Sequence, residues 1–564
     1  MENRLKNFLT PSVMQGGDWR TLEHAVSRIL LHCGWRDIQY VGESGDKGAD
    51  VLAVRYNSAK AVDDSYLIQV KAVNSNSYVG KSAVDQALKG QSYYKARIVV
   101  IATNGEFTRS AYQRRDELIK EGYDVRLWNG AFLLDLVDKW EDYSSERRNL
   151  REYQARISDS IIKSYIKGCR KSLFIVATGL GKTVIASVIA DKLYHQGLKK
   201  ILVLCHSTDL AFQLQKAFWG QISKQISTRL FMDGEPPVPI DGINFGLYQT
   251  LFGYLGGIEP HAFDLIIVDE AHHALANAFA TCIQYLSPKL LVGMTATPWR
   301  GDGTSIESIF GEPIERISLV DGMRMGYLAK VDYRLMCDNI DWNEIPNLAK
   351  NSLTIRDLNK KLFLPQRDDA VIAQLLDVAT KIQNPKIAIF SPSKNHAETF
   401  AGKLVSAGIS AANMSVNDKV KRRQILLNFS AGKIKAITAV DVLNEGIDVP
   451  DVNILVFLRA THSRRIFIQQ LGRGLRISSG KNKVIVLDFV TDIRRIAAVR
   501  ELDKEAKSEP KPSEIETVFL RDGVVTFSNE RVQNFVDAWL DDVTSLQDSE
   551  DAEKLAFPNT DGWL

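Results

Sequence analysis

Long apolar runs, paired cysteines and a strong net charge are all missing from this sequence of 564 residues. No apolar run can span a bilayer, and the N-terminus, MENRLKNFLT, lacks the apolar core of a signal peptide. We therefore expect a cytoplasmic protein with no membrane partner. The 5 cysteines form no CxxC pair, which favours reduced, buried thiols and excludes a zinc site built on them. Because the net charge is only +3, any nucleic-acid surface must be a local groove.

The length exceeds what one hydrophobic core usually spans, so about three or four domains are expected. The apolar fraction of 45% and the charged fraction of 25% are ordinary for a globular protein. Function must therefore be sought in local motifs.

A glycine-rich stretch, VATGLGKT from Val176 to Thr183, lies between an apolar run and an amphipathic run. This order predicts strand, glycine loop and helix, in which backbone N–H groups surround a polyphosphate at the helix N-terminus. Lys182 would reach the β- and γ-phosphates, and the Thr183 hydroxyl would bind Mg²⁺. Val176 replaces the first glycine of the strict pattern. From this stretch alone, a glycine turn that binds no phosphate is therefore an alternative. The expected ATP-binding residues of the loop are Thr178, Gly179, Leu180, Gly181, Lys182 and Thr183.

A second motif, which contains two carboxylates, is Asp269-Glu270-Ala271-His272. It follows the apolar run from Phe263 to Val268. Carboxylates at the carboxyl end of a parallel strand lie at the ligand crevice of α/β sheets. Asp269 can hold Mg²⁺ and Glu270 can activate the attacking water. The alternative, an acidic loop after a core strand, is weakened by the glycine loop earlier in the chain.

Two further positions suit ATP chemistry. The amide of Gln154 can bond to the N6/N7 edge of adenine, although a surface glutamine on a helix is the alternative. Arg473 and Arg476 lie one helical turn apart and can both face phosphates as arginine fingers, although a basic, solvated helix face is the alternative.

The first 140 residues contain a different group of polar side chains. Asp50 opens one predicted strand, and Gln69 and Lys71 lie two apart on the next, so they face the same side. Glu23 lies on the first predicted helix. Oxygen ligands and a lysine suit metal-assisted phosphodiester hydrolysis. Spacing alone favours a solvated loop Asp and a surface Lys.

A family resemblance of the N-terminal motifs favours the metal site over solvated surface residues. The stretches GDKGAD (residues 45–50), QVK (69–71) and TNGEFT (103–108) resemble the Mrr-type restriction endonuclease domain, a branch of the PD-(D/E)xK nucleases. The resemblance implies Asp50 and Gln69 at a metal site, Lys71 as the catalytic lysine and Glu23 as a helix-borne acid. Gln69 replaces the usual carboxylate, a variant typical of the Mrr branch that gives the site one charge less.

The remaining motifs together resemble the superfamily 2 helicases of the restriction-enzyme subunit (ResIII/RadD-like) branch, which act on DNA. The resemblance makes Gln154 the adenine-reading glutamine and residues 269–272 a DEAH box. It also makes Asp448 and Gln469 ATP-site residues of motifs V and VI, together with Arg473 and Arg476. Val440 replaces the threonine of many relatives in motif V, so Thr438 is the alternative donor to a DNA phosphate.

These observations predict an α/β protein with an N-terminal restriction-endonuclease-like α/β domain followed by two tandem RecA-like parallel-sheet lobes. The expected boundaries are residues 1–140 for the endonuclease domain, 141–149 for a linker, 150–335 and 336–500 for lobes 1 and 2, and 501–564 for the tail.

The expected function is an ATP-dependent DNA helicase or translocase fused to a metal-dependent DNA endonuclease, in restriction, phage defence or DNA repair. ATP and Mg²⁺ are the expected cofactors, with Mn²⁺ as an alternative at the nuclease site. DNA, whether duplex, single-stranded or branched, is the expected partner, with defence-system proteins as further candidates; the oligomeric state stays open. Two alternatives remain, a DNA helicase whose N-terminal domain binds without cutting, and an RNA helicase or remodelling scaffold.

Overall fold

The structure is a computed structural model that describes most of the chain between residues 19 and 489. The described residues are 19–41, 48–57, 62–74, 77–145, 147–231, 236–275, 277–296, 306–336, 353–354, 368–416, 419–440, 452–458, 474–475, 481, 483–489 and 554–555. The architecture below belongs to these residues.

Contacts between Cα atoms divide the chain into two compact units. The first comprises residues 1–174, 183–294 and 306–314, and the second comprises residues 175–182, 295–305 and 315–564. The N-terminal domain and most of a seven-stranded sheet thus share the first unit. The glycine loop and a six-stranded sheet lie in the second.

The N-terminal domain is built on a five-stranded mixed sheet in the order β1-β2-β3-β5-β7. Strands β1 to β3 pair antiparallel, whereas β3, β5 and β7 pair parallel. The elements are α1 (Trp19–His32), β1 (Arg36–Tyr40), β2 (Val51–Asn57), β3 (Val62–Lys71), β4 (Tyr78–Val79), α2 (Lys81–Tyr94), β5 (Ile98–Thr103), β6 (Glu106–Phe107), α3 (Arg109–Lys120), β7 (Asp124–Trp128) and α4 (Gly130–Asp138).

Side chains of strand β3 contact helices on both faces of this sheet, because successive side chains of a strand point to opposite sides. Tyr66, Ile68 and Val70 share a core with Leu22, Val26 and Ile29 of α1. Leu67, between them, joins a second core with residues of α2 and α3. By the same alternation, Gln69 and Lys71 belong to the α2 side.

The seven-stranded sheet has the order β10-β11-β9-β12-β13-β8-β14. The pairs from β10 through β13 are parallel. Its elements are α5 (Glu152–Ile166), β8 (Lys171–Val176), α6 (Lys182–His195), β9 (Lys200–Cys205), α7 (Thr208–Trp219), β10 (Thr228–Leu230), β11 (Gly242–Leu247), α8 (Tyr248–Tyr254), β12 (Leu265–Val268), α9 (Asn277–Leu286), β13 (Leu290–Thr295), α10 (Glu307–Phe310) and β14 (Pro313–Ile317), with 3₁₀ turns at Leu255–Gly257 and Ala271–Leu275.

The second unit contains a six-stranded parallel sheet in the order β15-β21-β20-β17-β19-β18. Residues of the C-terminal tail form β22, which pairs antiparallel with β16. The elements are α11 (Leu319–Arg324), β15 (Lys330–Met336), β16 (Leu353–Thr354), α12 (Asp368–Thr380), β17 (Ile387–Phe390), α13 (Lys394–Ser406), β18 (Ala411–Asn413), α14 (Lys419–Ser430), β19 (Ala436–Ala439), β20 (Ile454–Phe457), β21 (Lys483–Phe489) and β22 (Lys554–Leu555).

These sheets confirm the predicted α/β class, and two details differ from the sequence-based expectation. The strand from Lys330 begins within the range expected for lobe 1, yet it pairs with β21 in the second unit. Strand β11 (GINFGL) escaped prediction because it has no apolar alternation. Its buried Asn244 donates to the carbonyls of Ile201 and Ile240, both at 3.1 Å. No sequence pattern reveals that these hydrogen bonds compensate for burying the asparagine.

Within the part of the chain that the structure describes, no helix is long and apolar enough to cross a membrane.

The start of β2 generates a prediction about stability. Gly48 has a φ of +86°, and a Cβ there would overlap the Gln86 carbonyl oxygen of α2. Gly48→Ala should therefore lower the free energy of unfolding of the N-terminal domain by roughly 1–3 kcal/mol. Urea-dependent hydrogen exchange in peptides from residues 62–103 measures the change. Gly80→Ala is the control, because a Cβ at Gly80 meets no heavy atom within 4 Å; an equal effect of both substitutions would contradict the prediction.

Candidate active sites

The polar residues predicted at the start of β2 and at the end of β3 lie together. Val51 pairs with Ile68, and the Asp50 N–H donates to the Ile68 carbonyl at 3.0 Å, which places Asp50 beside Gln69. The Asp50 carboxylate accepts a hydrogen bond of 2.6 Å from the Val70 N–H. Only 6% of Asp50 is exposed, so this bond fixes a largely buried carboxylate at the opening of the strand.

The Gln69 amide joins this group to α2 and to Lys71. In the orientation that satisfies both amide atoms, the nitrogen donates to the Ala83 carbonyl at 2.7 Å and the oxygen accepts from Lys71 Nζ at 3.2 Å. An acidic side chain could not make the first bond at neutral pH, because an ionised carboxylate has no hydrogen to donate. Gln69 therefore has a structural reason to be an amide.

Glu23 has a different position. It is 3% exposed and belongs to α1, whose apolar residues pack on the opposite face of the sheet from the side that carries Gln69. Its role as a helix-borne acid stays a prediction.

Asn104 supports the end of β3 just beyond Lys71, a role that the motif TNGEFT did not reveal by itself. Its side chain accepts from the Val73 N–H at 2.8 Å and donates to the Val73 carbonyl at 2.9 Å. The next residue, Gly105, has no room for a Cβ because it would overlap a Val73 methyl group. The signal for this clamp was the Asn-Gly pair directly after strand β5.

The glycine loop follows β8 and leads into α6, as predicted. Gly179 and Gly181 have φ values of +88° and +85°, a left-handed conformation that glycine adopts without a steric penalty. Leu180 between them is fully buried, and a Cβ on Gly322 would lie 2.9 Å from its methyl groups. The buried leucine anchors the loop, and the loop leads directly to Lys182 and Thr183 at the N-terminus of α6.

Asp269 and Glu270 follow β12. Asp269 is 6% exposed, and its carboxylate accepts from the Glu270 N–H at 2.9 Å. Glu270 has a φ of +46°, an uncommon conformation for a residue with a side chain. Such strained backbone is concentrated at functional sites, and here it coincides with the residue predicted to activate water. Burial raises the pKa of the adjacent Cys205 thiol to about 12, and the Asp269 charge adds to the shift.

His272 of this motif lies close to His273 and His206, a grouping that the sequence did not predict. The Nδ1 atom of the buried His272 lies 3.4 Å from the Glu270 carboxylate. The His273 ring lies 4.3 Å from that of His272 and 4.9 Å from that of His206 at the end of β9. The group thus connects the segments that follow two neighbouring strands, and His272 lies beside the Glu270 carboxylate.

Gln154 lies at the N-terminus of α5 and is 4% exposed. Its amide oxygen accepts from the Arg151 N–H at 3.0 Å, and its nitrogen donates to the Tyr153 hydroxyl at 3.4 Å. Its adenine contact stays a prediction.

The suggested replacement for the motif V threonine is wrong. The Thr438 hydroxyl is fully buried and donates to the Ala397 carbonyl at 2.7 Å. It is therefore committed to holding α13 against β19 and does not face a DNA phosphate.

Four predicted residues, Asp448, Gln469, Arg473 and Arg476, lie outside the described residues. Their roles stay predictions.

The oxygen atoms of Asp50 and Gln69 are of the type that Mg²⁺ prefers, which makes the N-terminal group chemically suitable for that ion. The protein would supply only one negative charge there. Among the described residues, no three His, Cys, Asp or Glu side chains are grouped so that they could hold a metal by themselves. Water and DNA phosphate oxygens would have to complete such a coordination sphere.

Three family models match successive parts of the chain. Residues 14–137 match the model described as restriction endonuclease, of the Mrr catalytic type. Residues 147–300 match the type III restriction enzyme, res subunit, and residues 369–478 match the helicase conserved C-terminal domain. Successive parts of the chain are therefore similar to an Mrr-type restriction endonuclease, a restriction-enzyme res subunit and a helicase C-terminal domain, which confirms the resemblance drawn from its motifs.

Two curated relatives each match more than half of the chain. The chain is 26% identical over 407 residues to the type I restriction enzyme EcoAI endonuclease subunit of Escherichia coli, a match that covers 64% of this chain and 49% of that protein. It is 24% identical over 383 residues to the DNA 3′-5′ translocase XPB2 of Sulfurisphaera tokodaii, covering 61% and 82%. The chain spans about half the length of several curated relatives that it matches.

One solved structure shows the same fold. It is the ATP-dependent type ISP restriction-modification enzyme LlaBIII bound to DNA, with a TM-score of 0.50 and 17% identity, covering 87% of this chain and 40% of that one.

The strained Glu270 generates a prediction about ATP turnover. Glu270→Gln removes the carboxylate base but keeps the size of the side chain, so MgATP should still bind while hydrolysis falls roughly 100-fold or more. Binding of a fluorescent ATP analogue and phosphate release measure the two effects separately. Glu259→Gln, an exposed glutamate of the same lobe, should leave both unchanged. Loss of nucleotide binding in Glu270→Gln would show that Glu270 has another role.

Proposed function

We propose that this protein is an ATP-driven DNA helicase or translocase that carries its own metal-dependent DNA endonuclease and acts in restriction, phage defence or DNA repair. The observation that carries the proposal is the group formed by Asp50, Gln69 and Lys71 in an Mrr-like domain joined to a restriction-type helicase. Two DNA-processing functions in one chain suggest that the motor delivers DNA to the nuclease.

ATP would be held by the glycine loop and by the residues after β12. The backbone N–H groups of the loop and Lys182 would neutralise phosphate charge, which is the usual function of such loops at a helix N-terminus. Thr183 and Asp269 would hold Mg²⁺, which would neutralise charge on the β- and γ-phosphates. Glu270 would orient and deprotonate the attacking water, and His272 lies 3.4 Å from its carboxylate. Asp448, Gln469, Arg473 and Arg476 would complete the site from the second lobe.

Movement along DNA would follow from the contribution of both lobes to the ATP site. Because both lobes would contact the nucleotide, hydrolysis changes which of their arrangements is stable. Contacts to the sugar-phosphate backbone carry little sequence information, so such a motor tolerates any sequence that it traverses.

Cleavage would take place at the N-terminal group. Asp50 and Gln69 would hold a divalent cation, Mg²⁺ or Mn²⁺, whose charge would polarise the phosphodiester. Lys71 lies next to the Gln69 oxygen, where its ammonium group stabilises the negative charge that develops on a phosphate oxygen. The buried hydrogen bonds of Asp50 and Gln69 hold both oxygens before DNA arrives.

A second function is favoured by Gln69 itself. An amide in place of the usual carboxylate weakens metal binding, so the N-terminal domain could position DNA for the motor without cutting it. In that case the motor predictions hold and no metal-dependent cutting occurs.

The motor assignment predicts a specific defect for Lys182→Ala. ATP hydrolysis, measured with duplex, single-stranded and branched DNA and with RNA, should fall roughly 100-fold or more because a phosphate-neutralising charge is lost. Lys192→Ala on the same helix is the control, since Lys192 pairs with Asp159 on the surface. Near-normal turnover in Lys182→Ala would refute the motor assignment. ATPase activity stimulated by RNA but not by DNA would favour an RNA helicase.

The nuclease assignment predicts that Asp50→Asn abolishes DNA cutting in Mg²⁺ or Mn²⁺. Asparagine retains an acceptor for the Val70 N–H, so the strand should remain folded while the metal loses its charged ligand. Asp63→Asn alters an exposed carboxylate of the same domain and should cut like the wild type. If wild type and Asp50→Asn both stay at background with every metal, the domain binds DNA without cutting.

A further inference from the structure

The endonuclease domain and the first helicase lobe are not separated by the division into compact units, although different family models cover them. The contact between them centres on Arg28 of α1, which is completely buried. Its guanidinium donates to the carbonyl of Ile226 at 2.9 Å and to that of Ser223 at 3.1 Å. A nuclease-domain side chain thus binds a turn of the motor, residues 223–226, which we call the docking turn.

The docking turn is held from the motor side as well. Asp191 accepts from the Ser223 N–H at 2.9 Å and is 3% exposed. Asp191 lies on α6, the helix that begins at Lys182 directly after the glycine loop. A short series of polar contacts therefore connects the phosphate-loop helix with α1 of the nuclease domain.

Contacts around Arg28 extend the interface along both helices. His24 of α1 pairs with Gln215 of α7 at 2.7 Å, and Lys216 of α7 donates to the Ile38 carbonyl at 2.9 Å. The Tyr40 ring stacks on Phe212 of α7 with a centroid separation of 5.3 Å. Polar and aromatic side chains of the two domains thus contact each other at several positions besides Arg28.

The segment expected to be a linker is part of the same interface. Asp142 accepts from the Ser223 hydroxyl at 2.7 Å, and its carbonyl accepts from the Lys224 N–H at 2.7 Å. Tyr143 donates to Asp191 at 3.0 Å. The chain between the domains is packed on the docking turn, which is the opposite of the behaviour expected for a free tether.

The buried charge of Arg28 makes this contact specific. Burial lowers the pKa of Arg28 to about 9, so the side chain is still a cation at neutral pH. Burial and the Arg28 charge lower the pKa of the neighbouring His32 to about 3, so His32 stays neutral where it stacks on Trp140. A buried cation requires its acceptors, and the docking turn supplies two carbonyls that an apolar surface would lack.

We propose that Arg28 is a positioning residue that locks the endonuclease domain onto the first helicase lobe through the docking turn, so that nuclease and lobe move as one body. DNA would then be cut at a fixed distance from the motor. The docking does not depend on the activity of either site.

The docking through Arg28 can be tested in the full chain after one peptide bond is cut. A site-specific protease sequence inserted between Asn149 and Leu150 allows the covalent connection to be severed in the purified protein. The nuclease fragment should stay bound to the remainder at micromolar concentration in size-exclusion chromatography. After Arg28→Met the fragments should separate, with a Kd at least 10-fold weaker. Arg36→Met, an exposed arginine of the same domain, should leave them bound.

Each outcome decides the proposal. Separation of the cut wild-type protein would overturn docking, and retention of the cut Arg28→Met protein would overturn the role of Arg28. If Arg28→Met fails to fold, as judged by its melting curve, the motor-side double variant Gln215→Leu, Lys216→Met takes its place. That variant leaves the nuclease sequence intact and should weaken the fragment complex by the same criterion.

A second readout rests on the proposed function. On linear duplex DNA with a tightly bound roadblock, the uncut wild type and Arg36→Met should cut in a narrow window from the block. Arg28→Met should broaden that window at least twofold while its basal ATPase activity stays within twofold of wild type. An unchanged window would overturn the mechanical role of the lock. Absence of cutting by every protein would count against the nuclease assignment and leave the fragment test standing.

Discussion

A buried guanidinium inside a turn of backbone carbonyls is the constraint on which the arrangement of the first unit depends. Arg28 is charged and completely buried, and it donates to the carbonyls of Ser223 and Ile226. An ion in such a place tolerates little displacement, because any gap leaves both the cation and the carbonyls without partners. Two domains that match separate family models are therefore held in one defined geometry.

Both candidate sites use the same physical device, which is a functional side chain fixed by backbone hydrogen bonds at the end of a strand. Asp50 accepts from the Val70 N–H, and Asp269 accepts from the Glu270 N–H. Strand ends are suitable for this purpose because the sheet itself is rigid while the next residues leave the ladder and expose polar groups. The left-handed backbone at Glu270 adds strain that the surrounding lobe must offset.

The histidine group and the Asn104 clamp show how positioning residues differ from chemical ones. His272 has its effect through Glu270, and Asn104 has its effect through the strand end that carries Lys71. Neither would be recognised by its own chemistry. The Asn104 contact joins segments 31 residues apart in the chain, and the histidine group brings together residues 206 and 273, so both become visible only in the tertiary structure.

The sequence by itself determined the α/β class, the three domain types and the placement of the glycine loop, because these are properties of short continuous motifs with strong local periodicity. Strand alternation, a local rule, placed Gln69 and Lys71 on one side of their strand, and the resemblance to the Mrr-type domain added Asp50 to them. Only the tertiary structure decided that β15 pairs with β21, that Thr438 is committed to Ala397 and that residues 141–145 pack on the motor. Those outcomes depend on contacts between segments far apart in the chain, where a charged or polar residue finds a partner that no local pattern contains.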